Sequence, residues 1–584
     1  MMILTKEIIP IAADEWTIAQ GLVGYYRILK HAGIKVKLTD EGLLFDPEHL
    51  NNFEHYYFQF FLERYSVAKR DERVIRREFF KFKQASELDS KQAKGKIKAA
   101  KKGLDDRIKL TALDKVEKKF AETVATNRLV EVAKIIRNQK TYVVEMVEWI
   151  EEYIAALGEL EINHKLTLNY FKAKVLGPYF GQVSILNVLN NSKTLKEQQA
   201  IFRKDYIDPL LADLELQKVM AQATSEQEIL QYLESSVHEK VKGLKKQFKE
   251  MTIDQIQEYV STNINHCSFF ETQWAFDQYS ESHFSPLSMS APKALNFYWG
   301  ANSALTTPIS KLAKLILFCA PAGASIVGDK SLFVQLEGRF EQLIHANDIY
   351  EIGRNKDKAF DEILFDLVTE QRTKAQQVAQ SYLILEYSSD YNAKKTDLQY
   401  LHLTPGLGKL FDSTIHQQWF QRLNYRLRSQ LVRSFLLYQD PKALIHSYLR
   451  MKLKEDYAAN EIIYACLLRH YFLLFTKKGE KIMATDLEIG RKRIWSAFYA
   501  GLEMKKKLEE GKARSIAYRL LNAVRANDKK MFLDTTMRMY MSLQEPLPSV
   551  IMNVLDESKI DFPSVADSFI AGLISKEEEK KNEK

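Results

Sequence analysis

Hydrophobic and polar positions divide the chain into a mostly helical series. Trp16–His31 is mostly apolar and carries Gly21 and Gly24, which predicts a buried helix that a neighbour can approach closely. Lys35–Phe45 alternates apolar and polar positions around Asp40-Glu41-Gly42, a hairpin signal. Pro47 then opens a helix in which Phe53, Tyr56, Tyr57, Phe60 and Phe61 recur at helical steps, an aromatic stripe that reads as core. Residues 66–137 predict long charged helices, with Lys94-Gly95-Lys96 and Lys101-Lys102-Gly103 as breaks. Residues 163–190 read as helical with an interruption at Gly177-Pro178, and 196–260 as amphipathic helices. Residues 266–290 are irregular. Strands are expected at Leu315–Cys319, Ser325–Val327, Ser381–Tyr387 and Leu398–Leu403. From Pro405 onward everything reads as helix, and 575–584 as a disordered, mixed-charge tail. The pattern predicts a predominantly α, multidomain chain with a smaller α+β portion. Residues 1–400 would form a mixed body and 405–574 a C-terminal helical bundle.

Composition adds compartment and charge. Three scattered cysteines, Cys267, Cys319 and Cys466, give no disulfide framework and point to a reducing compartment. The N-terminus does not read as a signal peptide, and the most apolar run, Leu312–Val327, is broken by Lys314, Pro321 and Gly323. A cytoplasmic protein without a membrane partner is expected. The net charge is +8, yet residues 64–119 alone hold 19 Lys/Arg against 9 Asp/Glu. Such a concentration suits a polyanion, and the alternative is a solvated face.

Candidate nucleic-acid contacts follow from these basic runs. The first comprises Lys69, Arg70, Arg73, Arg76, Arg77, Lys94 and Lys96. The second is Arg422, Arg426 and Arg433, set around Tyr425 at steps that would place them on one side of a helix. The third is C-terminal: Arg491, Arg493, Arg514, Tyr518 and Arg525. Over 512–527 the stripe Ala513, Ile516, Ala517, Leu520 and Val524 faces a core and leaves the arginines and the tyrosine on the other arc. Guanidinium groups with an interleaved tyrosine suit phosphate contact and base stacking. Asn296 and Asn302, with Lys311 and Lys314, are candidates for reading a duplex motif, a buried Asn-aromatic turn being the other reading.

Catalytic motifs are thin. Gly323–Ser331 resembles a phosphate loop, but Asp329 separates Gly328 from Lys330-Ser331, so the contiguous Gly-Lys-Ser is missing. His266, Cys267 and His283 do not have the paired spacing of a zinc site. No acid pair, nucleophile elbow or Cys/His dyad emerges, so no catalytic residue, metal or cofactor is expected. A second start is legible at Met483: the preceding Gly479-Glu480 can be written GGA-GAA, a purine-rich ribosome-binding core. Residues 483–584 would then also be made separately as a small helical product; an ordinary basic loop is the other reading.

The run Gly511–Arg525, its continuation Met531–Tyr540, Pro546-Leu-Pro548 and Phe569–Leu573 resemble the C-terminal part of large subunits of type I-B CRISPR Cascade complexes. Trp16 with Gly21-Leu-Val-Gly24-Tyr-Tyr-Arg-Ile-Leu29 resembles the N-terminal signature of that family, and Asn296–Gly323 resembles it loosely. Some relatives carry paired Cys-x-x-Cys motifs in mid-chain, and this chain has none. The resemblance implies a noncatalytic subunit that senses a protospacer-adjacent motif and binds target DNA so that a separate helicase-nuclease is recruited. Its implied partners are guide CRISPR RNA, target double-stranded DNA and its displaced strand, other Cascade subunits and the helicase-nuclease. A stand-alone nucleic-acid-binding regulator and a metal-dependent nuclease are the competing readings.

Overall fold

The computed structural model describes residues 8–87, 93–235, 239–280, 282–287, 307–327, 330–336, 338–348, 382–390, 395–455, 459–477 and 484–575. Asn296, Asn302, Met483 and the tail from 576 lie outside the described residues. Helices dominate and sheets are few and small, as the periodicity predicts. The largest sheet runs in the order Lys395–Leu403, Tyr382–Asp390, Lys330–Leu336, Ser325–Val327. Among the described residues no helix is long and apolar enough to cross a membrane. The chain divides into two compact units: Met1–Ser331 with Arg339–Ile344 and Tyr387–Leu398, and Leu332–Gly338 with His345–Glu386 and Gln399–Lys584.

The first unit is organised on two buried helices, Trp16–His31 and Lys311–Gly323. Glycines let their backbones meet. A Cβ on Gly24 would lie 2.0 Å from the Cys319 carbonyl oxygen, and one on Gly323 2.0 Å from that of Gln20. Gln20 Nε2 donates to Ala320 O at 2.9 Å, and buried Arg27 donates to Ala322 O and Gly323 O at 3.0 and 2.8 Å. The guanidinium thus satisfies carbonyls at a helix C-terminus, where the dipole also favours a cation. Leu315–Cys319 is therefore helix rather than strand. A short run that is apolar all round cannot be assigned by periodicity, and the deciding signal is Ser310, whose Oγ accepts the Ala313 amide at 3.1 Å as N-cap.

The aromatic stripe of Phe53–Arg64 is core, as expected: Phe53, Tyr57 and Phe61 are fully buried, and Tyr57 packs against Phe202 and Phe318 with ring centroids 4.7 and 5.6 Å apart. The hairpin expected at Lys35–Phe45 is narrower than the pattern suggests. Gly42–Phe45 takes its main partner from Ile9–Ala12, antiparallel with Ile9 opposite Phe45, while its own preceding arm contributes one bridge, Leu38 to Leu43.

In the charged region, Val67–Ser86 packs along Ala93–Ile108, over a core that includes Ile75, Phe82, Leu104 and Ile150. Gly95 and Gly103 lie inside the second helix, so the expected breaks are absent; Gly103 makes room for Glu78, whose carboxylate would stand 3.0 Å from a Cβ there. Asp71 is fully buried and accepts from Arg107, from Thr111 Oγ1 at 2.6 Å and from Arg70 Nε at 3.3 Å.

From Pro405 the second unit is helical. Ala484–Lys507 and Phe562–Leu573 also meet through glycines, Gly501 against the Phe569 carbonyl and Gly572 against that of Phe498. Arg469 is buried at their side, with Nε and Nη2 on Asp440 at 2.5 and 2.7 Å and Nη1 on Asp561 and Ser564, both at 2.8 Å.

Candidate nucleic-acid interface

The three basic runs meet different fates on folding. In the first unit, Arg76 forks onto Glu151, Nη2 donating at 2.8 Å, and also donates to Glu72 at 2.9 Å; its hydrogen bonds hold the Glu151 carboxyl below its ordinary value. Arg77 pairs with Glu78 at 3.1 Å, and Arg70 lies over the Tyr170 ring at 4.2 Å. Arg76 and Arg70 thus join neighbouring helices, while Arg77 pairs within its own. Lys69, Arg73, Lys94 and Lys96 are exposed, and the side chains of Arg73, Lys94 and Lys96 have no ion pair among the described residues. They are the part of that run open to a polyanion.

In the second unit, Arg422, Arg426 and Arg433 do not share one helix. Thr414–Arg422 ends, and Tyr425–Leu436 begins with Asn424 as N-cap, its Oδ1 accepting the Leu427 amide at 2.9 Å. The Asn424 cap, legible only as local chemistry, breaks the four-residue step from Arg422 to Arg426. Arg433 is committed to buried Glu386 at 2.6 Å and to Gln399 at 2.7 Å, whereas Arg422 and Arg426 are exposed.

Over Glu510–Arg525 the expected stripe holds: Ala513, Ala517, Leu520 and Val524 are buried, with Tyr518, Asn522 and Arg525 exposed on the other arc. Leu453, Arg514, Ser515, Tyr518, Arg519 and Asn522 line an open groove of about 510 Å³. Arg450, from Lys442–Glu455, stands 6.0 Å from the Tyr518 ring centroid, within cation–π reach. Sequence spacing could not bring Arg450 here, because the juxtaposition is made by helix packing. Arg514 leans inward to donate to Leu453 O. Arg493 donates to Asn553 O at 2.6 Å and Asp556 O at 3.2 Å, closing a turn, and Arg491 is half-buried. The groove offers a half-exposed aromatic face among guanidinium groups, which suits a base and its phosphates.

The duplex-motif candidates Lys311 and Lys314 are engaged too. Both ammonium groups donate to Asp277 Oδ2, at 2.5 and 2.7 Å, and all three side chains are largely buried. Nearby His283 accepts the Ser280 amide on Nδ1 at 2.9 Å. Burial, with Lys314 adding to it against Asp277, pushes the His283 imidazole from its ordinary 6.5 down to about 4. The unfolded chain therefore takes up this proton first: the stability is present above pH 6.5 and is lost as pH falls towards 4. His283→Gln is expected to flatten that part of a stability–pH curve, which for one group can slope by at most about 1.4 kcal/mol per pH unit. An unchanged slope would assign the titration elsewhere.

This corner of the first unit is where known proteins enter. Residues 262–325 match the family model described as CRISPR-associated protein (Cas_CXXC_CXXC). The match supports a CRISPR-associated protein. No curated protein and no solved structure matches. The matched segment runs from the end of the Ile253–Asn263 helix through short strand pairs to Lys311–Gly323, and its last helix is the one that Trp16–His31 embraces. Two Cys-x-x-Cys pairs have the ligand pattern of a tetrahedral zinc site, and the residues here do not fit one. Only Cys267 and Cys319 fall in the segment, and Cys319 is fully buried, its thiol pushed well up by burial. Among the described residues no three His, Cys, Asp or Glu side chains gather as a metal site.

Proposed function

We propose that this CRISPR-associated chain is the large, noncatalytic subunit of a type I-B Cascade complex in the cytoplasm. In this reading it senses the protospacer-adjacent motif, binds target DNA beside the guide RNA, and presents a surface to a separate helicase-nuclease. The observation that carries the reading is the match on 262–325 to a CRISPR-associated family model, in a segment whose last helix packs on Trp16–His31, whose sequence resembles type I-B large subunits. The exposed cations of both units support it: sequence readout belongs to guide–target pairing, so the protein needs mainly phosphate contacts.

Co-expression with the neighbouring genes followed by native mass spectrometry tests the assembly. A large ribonucleoprotein containing this chain is expected, and a lone monomer or dimer would count against the subunit role. The structure separates the arginines in that test. Alanine at Arg73, Lys94, Lys96, Arg426, Arg519 and Arg525 is expected to weaken DNA binding and to reduce the slope of log K against log salt by about 0.9 for each duplex phosphate no longer neutralised. Alanine at Arg76, Arg433 or Arg493 is expected to act on stability instead. Equal salt slopes for the exposed set and wild type would leave those cations as a solvated face.

A further inference from the structure

We propose that the matched 262–325 segment is a metal-free knuckle, in which the Cys267 thiol and the Asp277 carboxylate hold the strand register that a bound metal ion would otherwise impose. The turn after Cys267 is compact: its amide donates to Gln273 O and the Gln273 amide to Phe270 O, both at 2.8 Å. The sulfur sits inside this turn as an acceptor. It receives the Phe269 amide at 3.4 Å and, from just after the Pro308–Ile309 strand, the Ser310 amide at 3.2 Å. Ser268 adds a stitch to that strand, its amide on Pro308 O at 3.0 Å. One thiol thus ties its own turn to a distant backbone stretch, as a metal ion does through several ligands.

The other ligand places are mostly spent. Phe270, where the second cysteine of a Cys-x-x-Cys pair would stand, is buried and apolar. Ser310 uses its Oγ as the N-cap of Lys311–Gly323, and the Nδ1 of His283 is taken by Ser280; His266, whose Nδ1 meets Glu271 O at 2.8 Å, keeps its Nε2, but among the described residues no three such side chains gather as a site. What ties the Asp277–Gln278 strand to the helix is ionic: one carboxylate oxygen shared by Lys311 and Lys314. Two ammonium groups at that point also repel a divalent cation.

The experiment uses the full chain, purified from zinc-supplemented cells. Elemental analysis is expected to find well under about 0.1 zinc per chain, and exhaustive chelation should move the melting temperature by less than about 1 °C, since a structural zinc would supply folding free energy outright. About one zinc per chain surviving gel filtration, or a chelator-induced fall in melting temperature that zinc restores, would overturn the proposal. Two substitutions test the thiol separately from the metal. Cys267→Val strands the buried Ser310 amide and the part-buried Phe269 amide and is expected to lower the melting temperature more than Cys267→Ser, which keeps an acceptor. Equal behaviour of the two variants would remove the thiol from its role. Asp277→Asn is expected to lower the melting temperature as well, with little dependence on salt, because the pairs it removes are largely buried.

Discussion

Arg469→Ala is expected to cost the second unit about 3–5 kcal/mol, the usual consequence of removing one partner from a buried ionic cluster. The guanidinium is almost wholly buried and four hydrogen bonds radiate from it to Asp440, Asp561 and Ser564. Burial alone would raise the Asp440 carboxyl, but its hydrogen bonds from Arg469 hold it below the ordinary value. Without the arginine, Asp440 keeps only the Lys442 amide and charge against the cost of its burial. Lysine cannot substitute, since a single ammonium lacks the planar fork that reaches both aspartates. Chemical denaturation of Arg469→Ala and Arg469→Lys measures this. A loss below about 1 kcal/mol in the alanine variant would mean that solvent replaces the cluster.

Gly24→Val should have a comparable effect by another route, about 3 kcal/mol at the upper end of overpacking. Its side chain would meet backbone rather than movable side chains, with the Cys319 carbonyl 2.0 Å and the Gly323 amide 2.9 Å from the first carbon. The two helices would have to part, and with them the carbonyl ligands of Arg27 and Gln20. Gly95→Ala is the control: nothing lies within 4 Å of a Cβ there, and removing a glycine from a helix is expected to stabilise by up to about 1 kcal/mol. A Gly24→Val protein that melts with wild type would show that the helices can separate at little cost.

Much of the helical architecture was legible because long amphipathic or fully apolar stretches carry their own period. Trp16–His31 begins and ends where the pattern places it, and the buried arc of Glu510–Arg525 matches its apolar stripe. Short elements were less legible. Leu315–Cys319 is apolar all round and has no period to read, and Gly42–Phe45 pairs with residues about thirty positions earlier. Charge was the least transparent of all. Arg76, Arg433 and Lys314 look alike in sequence to Arg73, Arg426 and Lys94, and only the packed structure separates cations neutralised by Glu151, Glu386 and Asp277 from those left to solvent.

The embrace of Trp16–His31 with Lys311–Gly323 also sets a timetable. Arg27 and its carbonyl partners are separated by 295 and 296 residues, so the first helix leaves the ribosome long before its partner exists. At about 5–20 residues per second the interval is roughly 15–60 s. Throughout it the helix can pack on Phe53–Arg64, through Tyr25 against Phe53, but its two bare glycines wait for their partner. The first unit can close only late, and the N-terminal segment is an early client for whatever shields nascent chains in the cell.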